Sequence, residues 1–293
     1  MNFYTRYIHI SILLAAMFAL SSCGKTSPDD IPSYISVDTI SLKVTSIQGT
    51  ASQKITDVWV WADNELIGAF ELPAKFPVLK SGSSLLSLSA GIKLNGISET
   101  RVPYPFYNQI NKTVELEQEK ITSFGHMKFT YSDKTKFAWQ EQFEYANISI
   151  DSTQRSEVNL VRTQLPELEA NFPGESNKYA AKVVIPNDSL VFECASHDAF
   201  KLPTDGTSVF LELNYRSNNP FTTGLFLNGY VTSQRSVLVV NPSKTWNKIY
   251  INLTPTLSEN SDITTFKVFF TAKKSTTDQQ AEIYFDNIKL VHF

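Results

Sequence analysis

The sequence predicts an all-β protein built from β-sandwiches. Twenty Phe, twelve Tyr and abundant Thr, Ser, Val and Ile suit pleated, half-buried surfaces. Apolar residues recur with a period of two, and the 3.6-residue period of helices is nearly absent. Turn signals interrupt the alternating runs at the short spacing of sandwich strands.

Taken in order, Ile55–Trp61 reads as a strand, Asp63-Asn64 as a turn, and Leu66–Leu72 as the return strand. Further strands follow around Ser84–Ser89 and Thr113–Leu116, with Gly91, Asn95-Gly96 and Pro103-Tyr104-Pro105 marking loops. Trp59 and Trp61 share one face of their strand and Val58 and Val60 the other, so both faces are apolar. That fits a central strand covered on both sides, with two core tryptophans, or a paired-tryptophan contact surface. The polar stretch Tyr131–Lys136 then predicts a boundary between Ile121 and Phe137.

Beyond it, Leu190–Ala195 reads as a strand, and Val209, Leu211, Leu213 and Tyr215 alternate with polar or outward residues. Ile249, Ile251 and Leu253 do the same, as do Phe266, Val268, Phe270 and Ala272. Pro203–Gly206, Ser217–Pro220 and Asn241-Pro242-Ser243 supply the turns. In the last strand Ala281, Ile283 and Phe285 are apolar at odd positions, but Ile288 and Leu290 take over at even ones. A period of two cannot change phase without an extra residue, which predicts a β-bulge at Asp286-Asn287.

The N-terminus carries Arg6, an apolar run from Ile8 to Leu20, and then Ser21-Ser22-Cys23. This is the layout of a secretory signal, and the run is too short to span the ~30 Å hydrocarbon core. With cysteine directly after the small residues, it resembles a bacterial lipobox. The resemblance implies cleavage after residue 22, lipidation of Cys23 and membrane attachment through acyl chains. A plain secretory signal with a chance cysteine is the rival reading. Residues 23–35 are polar and Pro-punctuated, as expected of a flexible tether.

Composition bounds the function. At 293 residues, 42% of them hydrophobic, the chain holds one large or two modest domains. A net charge of −3 with no basic block argues against a nucleic-acid partner. With Cys23 acylated, Cys194 is the one thiol left, which excludes an intramolecular disulfide and a Cys-rich metal site. Within its strand Cys194 reads as a buried, inert thiol.

Two resemblances divide the chain. Asp57–Pro73, a strand, a tight turn and a short return strand before proline, looks like the opening hairpin of PEGA-like small β-sandwich domains, with Asn64 in place of the turn glycine. Residues 137–293 are similar to galactose-binding-like jelly rolls, the fold of many carbohydrate-binding modules. Phe143-Glu144, Thr245–Leu253 and the ending Tyr284-Phe285-Asp286-Asn287-Ile288-Lys289-Leu290 carry that likeness. The expected organisation is a signal (1–22), a tether (23–35), a PEGA-like or Ig-like sandwich (36–125), a linker (126–136) and a jelly roll (137–293). The whole resembles surface or periplasmic lipoproteins of Bacteroidetes. Asp29-Asp30 lies farther from the cysteine than usual in that group, which leaves the two faces of the outer membrane open.

No catalytic motif appears: no Gly-x-Ser-x-Gly elbow, His-Glu-x-x-His, phosphate loop or dinucleotide fingerprint. His197-Asp198 is the sole adjacent His/carboxylate pair, and reads as a solvated loop. The expectation is a non-catalytic, lipid-anchored binding protein, although carboxylates from distant strands would still allow a glycan-active enzyme. Sugar recognition uses aromatic faces with a few planar polar groups. Tyr179, His197, Tyr215, Arg216, Asn218, Asn219, Phe221 and Tyr230 are the candidates, each with an alternative reading as core aromatic or turn former. The jelly-roll resemblance implies a structural calcium ion shared by Glu144 and Asp286. An accessory role with an envelope protein partner is the alternative function.

Overall fold

The computed structural model describes residues 31–164, 177–187, 189, 191–274 and 280–293. Cys23, the leader and most of the expected tether lie outside them. The first sandwich holds ten strands: β1 (Ser33–Val37), β2 (Thr39–Lys43), β3 (Asp57–Ala62), β4 (Glu65–Glu71), β5 (Ala74–Val78), β6 (Gly82–Lys93), β7 (Arg101–Pro103), β8 (Ile110–Leu116), β9 (Ile121–Ser123) and β10 (His126–Thr130). β1 lies between β5 and β9, and β2 pairs with β10. Opposite them run β4, β3 and β6 in that order, with β7 and β8 both on the outer edge of β6. Ile35, Val37, Val58, Val60, Leu86 and Leu88 fill the space between. At the β3–β4 turn Asp63 and Asn64 take φ of 52° and 69°. Two successive positive φ values define the hairpin turn that matches strand twist, and Asp and Asn tolerate them.

The stretch 126–136 is not a linker. β10 pairs in parallel with β2 over five positions, from His126 opposite Thr39 to Thr130 opposite Lys43. Met127, Phe129 and Tyr131 turn into the core, while His126 and Lys128 face out. The polar look of the segment comes from its outward half. The expected tether is also shorter than read, because β1 begins at Ser33 and buries Ser33 and Ile35 completely.

The second sandwich is a jelly roll with eleven strands: β11 (Lys136–Glu141), β12 (Ile150–Ser152), β13 (Val161–Gln164), β14 (Tyr179–Ile185), β15 (Val191–Ser196), β16 (Val209–Ser217), β17 (Phe221–Leu227), β18 (Gln234–Val240), β19 (Ser243–Asn252), β20 (Phe266–Lys273) and β21 (Ala281–His292). One short helix, α1 (Thr254–Ser258), links β19 to β20. One sheet runs β13-β14-β21-β16-β19, with β11 also on β21, and the other runs β12-β15-β20-β17-β18. Leu211, Leu213, Ile249, Ile251, Phe270 and Phe285 meet between them. Leu213 faces both Asn287 and Ile288, because the register steps from Glu212–Lys289 to Asn214–Asp286. Asn287 takes φ 50°, so the phase change in the last strand is the expected bulge.

The two sandwiches are packed together rather than strung apart. Phe210, Tyr250 and Val291 on the outer face of the β16–β19–β21 sheet join the core of the first sandwich. Tyr104 meets Phe210 at 5.5 Å and Tyr250 at 4.8 Å between ring centroids. The loop from 44 to 56 crosses the same face: Ser52 donates to Asn214 (2.8 Å), Thr50 to Asn287 (2.8 Å), and Lys289 to the Thr50 carbonyl (2.6 Å). One end of that sheet face is left open.

Candidate functional site

The open end of the face carries a row of side chains aligned across four strands. On β21, Ile283 and Phe285 enter the core, so Tyr284 between them points outward. Its neighbours in register are Lys182 on β14 and Arg216 on β16. Beyond Arg216, Trp246 on β19 packs with Tyr284 and Ala180. Period-two alternation on four paired strands thus builds one continuous outward row.

The row is held electrostatically. The Arg216 guanidinium lies 4.3 Å from the Tyr284 ring centroid and 6.0 Å from that of Trp246. Lys182 Nζ covers Tyr284 from the other side at 5.2 Å and reaches Glu282 at 3.5 Å. The Tyr284 hydroxyl donates to Glu282 Oε2 at 3.1 Å. The Tyr284 hydroxyl, with help from Glu282, holds the Lys182 ammonium above its ordinary value despite partial burial. Cations against aromatic faces are favourable, and here they brace Tyr284. Tyr284 forms the floor of a shallow cleft of about 210 Å³ walled by Arg216, Ser217, Asn218, Lys244 and Glu282.

Of the eight saccharide candidates, the structure brings Arg216 and Asn218 into this cleft. Asn218 is fixed by backbone contacts, its Nδ2 donating to the Gln280 carbonyl and its Oδ1 accepting the N–H of Glu282. Asn219 is buried, and its side chain ties down the Pro220 and Lys273 carbonyls. Tyr215 and Phe221 belong to the core at 5% and 1% exposure, ring against ring at 5.5 Å. Neither offers a ring face to a sugar. Tyr179 lies on the core side of its strand, capped by the Arg162 guanidinium at 3.3 Å. His197 and Tyr230 sit on the opposite sheet. Tyr230 is 66% exposed and lines a cleft of about 410 Å³ with Asp151 and Lys267. His197 Nδ1 meets Asp151 at 2.8 Å, and its carbonyl accepts from Lys267.

Glu144 and Asp286 do not form the expected calcium site. Glu144 Oε1 accepts the N–H groups of Lys178 and Tyr179 at 2.8 and 3.0 Å. Asp286 is buried, and both its oxygens face Asn177 Nδ2 at 3.3 and 3.1 Å. An N–H donor stands where a cation would need oxygen, and calcium needs six to eight oxygens. Among the described residues no group of three or more His, Cys, Asp or Glu is placed to hold a metal ion. The donor set does not fit the ion, and the pair anchors residues 177–179 beside the bulge.

The two residues that matter most here, Tyr284 and Trp246, stood in the sequence within recognised strands. Their phase, opposite to Ile283 and Phe285 and to Ile249 and Ile251, is the signal that would have placed them outside.

No family model matches the chain, and no curated protein matches it. Among solved structures, the chain is similar to TmCBM61 in complex with β-1,4-galactotriose (11% identity, 53% of this chain and 97% of that one, TM-score 0.34). It is similar to a mutant family 29 carbohydrate-binding module, CBM29-2, complexed with mannohexaose (10% identity, 54% and 92%, TM-score 0.35). It also resembles part of an exo-β-agarase (10% identity, 53% of this chain and 25% of that one, TM-score 0.37).

Proposed function

We propose that this chain is a lipid-anchored, non-catalytic saccharide-binding protein of the cell envelope, with its ligand on the open end of the β14–β21–β16–β19 face. The carrying observation is the row Lys182, Tyr284, Arg216 and Trp246, with Glu282 beside it. Trp246, partly exposed, supplies the aromatic surface, while Tyr284, buried beneath the two cations, braces the row. An aromatic face, a planar guanidinium, an ammonium and a carboxylate are the groups that hold sugar rings and their hydroxyls. The cleft is shallow, which suits part of a chain lying across the strands rather than an engulfed small molecule. Attachment through Cys23 places the site at a membrane surface where polysaccharide is available.

The test is calorimetry against neutral oligosaccharides chosen from a glycan array. Trp246→Ala and Arg216→Ala should each weaken binding about tenfold or more, the loss expected when a stacking ring or a charged hydrogen-bond donor is removed. Binding that survives both substitutions, or silence across the array, overturns the reading.

A second reading has its own observation. On the outer face of β3, Trp59 and Trp61 stack with centroids 6.3 Å apart. Leu66 and Leu85 stand exposed in strands that flank β3. The pair is neither buried core nor fully free, and such an apolar patch suits a protein partner in an envelope assembly.

A further inference from the structure

A third cleft, of about 270 Å³, opens where the two sandwiches meet. Its walls come from both: Lys54, Lys93 and Asn95 from the first sandwich, Tyr215, Asn247 and Tyr250 from the second. The junction is firmly built. Asn95 N–H donates to the Tyr250 carbonyl (2.9 Å), and Asn95 Oδ1 accepts the N–H of Asn252 (2.9 Å). The Lys54 N–H donates to the Tyr250 hydroxyl at 3.0 Å.

The polar groups in this cleft are unbalanced. Asn247 bridges one wall, its Oδ1 taking Lys54 Nζ at 2.5 Å and its Nδ2 donating to the Tyr215 hydroxyl at 3.0 Å. Asn247 Oδ1 is thus engaged with Lys54, and the Tyr215 hydroxyl, accepting from Asn247 Nδ2, keeps its proton to give. Asn95 Oδ1 is likewise taken. Two ammonium groups line the cleft, and none of the described residues lining it is Asp or Glu. The carboxylates outside the lining have ion-pair partners of their own: Glu71 pairs with Arg101, although it also feels the Lys93 charge, and Glu212 pairs with Lys248. Partial burial and the neighbouring Lys93 charge both push the Lys54 ammonium below its ordinary value.

We propose that this interdomain cleft binds a ring-sized ligand bearing a carboxylate or sulfate oxyanion, held by Lys54, Lys93 and the Tyr215 hydroxyl. An oxyanion supplies the negative charge that the lining side chains lack, and charge-assisted hydrogen bonds are the strong ones. The volume lies just below the roughly 300 Å³ lower end of small-molecule pockets, which suits one ring and not an oligomer. A uronic-acid residue and a free inorganic anion share this chemistry, and titration separates them.

The experiment is calorimetry on the full chain with glucuronate, glucose and sodium sulfate in turn. Glucuronate should saturate one site, weaken as ionic strength rises, and weaken about tenfold or more in Lys54→Met and in Lys93→Met. Glucose should give no heat. Tyr215→Phe keeps the buried ring and removes only the hydroxyl, so it should weaken glucuronate several-fold at unchanged melting temperature. Trp246→Ala should leave glucuronate binding untouched, which keeps this result independent of the sheet-face site. Three outcomes overturn the proposal: glucuronate silent while sulfate binds, glucose binding as well as glucuronate, or glucuronate binding unchanged in both lysine variants.

Discussion

Glu212 and Lys248 form an ion pair 2.8 Å long in which neither side chain is exposed to solvent. It sits where the two sandwiches join. The other carboxylate oxygen of Glu212 accepts the hydroxyls of Tyr104 (2.7 Å) and Tyr131 (2.8 Å), both from the first sandwich. One buried charge on the jelly roll is thus satisfied partly by its neighbour. Removing a partner from such a pair leaves an uncompensated buried charge, whereas replacing both with apolar groups is often neutral. Glu212→Gln should therefore lower the unfolding free energy by about 3–5 kcal/mol. Glu212→Leu combined with Lys248→Met should recover most of that loss. Denaturant melts on the three proteins decide it.

The same pair predicts an acid dependence. Burial alone would raise the Glu212 carboxyl, but the Lys248 and Lys289 charges outweigh it and hold the group below its ordinary value of 4.5. A carboxyl depressed in the folded state contributes stability that is fully present above its unfolded value and lost as pH falls through the folded one. The wild type should therefore lose stability below about pH 4.5 more steeply than Glu212→Gln does, read as the difference between their melting temperatures down the pH series.

The shared aromatic junction predicts how the chain resists cutting. Phe106 packs on Phe293 at 4.7 Å, and β10 is hydrogen-bonded to β2. Limited proteolysis should leave residues 126–136 intact. A fragment beginning at residue 137 should be unstable and prone to associate, because it exposes Phe210, Tyr250 and Val291. Cleavage in that stretch yielding two stable halves would refute the fused architecture.

What the sequence disclosed, and what it hid, follows from the range of each interaction. The bulge at Asp286-Asn287 was legible because phase is local to one strand. Strand β10 was not, although Met127, Phe129 and Tyr131 alternate correctly, because its partner β2 lies more than eighty residues upstream. Asn218 lies in the turn Ser217–Pro220 that the sequence signals, and Arg216 at an outward position of its strand, whereas Tyr215 and Phe221 entered the ligand set by chemistry without regard to phase. Tyr215 continues the inward series Leu211, Leu213, and period two already assigns its ring to the core. The interdomain cleft was invisible, since Lys54 and Asn247 meet only when two sandwiches dock.

The thiols give a simple readout of anchoring. Cys194 is fully buried, and burial pushes its thiol far above the ordinary range, so it should not react with a disulfide reagent until the protein unfolds. If Cys23 is acylated, the native membrane-bound protein should show no reactive thiol. Cys23→Ser should then appear in the soluble fraction or remain as uncleaved precursor. A Cys23→Ser protein that is processed normally and stays on the membrane would remove the lipid anchor from the proposed function.

Two tyrosines separate core from surface in one experiment. Tyr215 is packed against Phe221 and 5% exposed, while Tyr230 is 66% exposed at the mouth of the cleft on the other sheet. Truncating a buried aromatic removes its transfer free energy and leaves a cavity, so Tyr215→Ala should cost about 3–5 kcal/mol. Tyr230→Ala should change stability by no more than about 0.5 kcal/mol, as expected for a surface substitution. Thermal melts of the two variants measure this directly. Oligosaccharide titration of Tyr230→Ala adds the functional half: if the ligand lies on the Tyr284 and Trp246 face, this variant should bind it as the wild type does. A clear loss of affinity with an unchanged melt would move the saccharide site to the opposite sheet, beside His197 and Lys267.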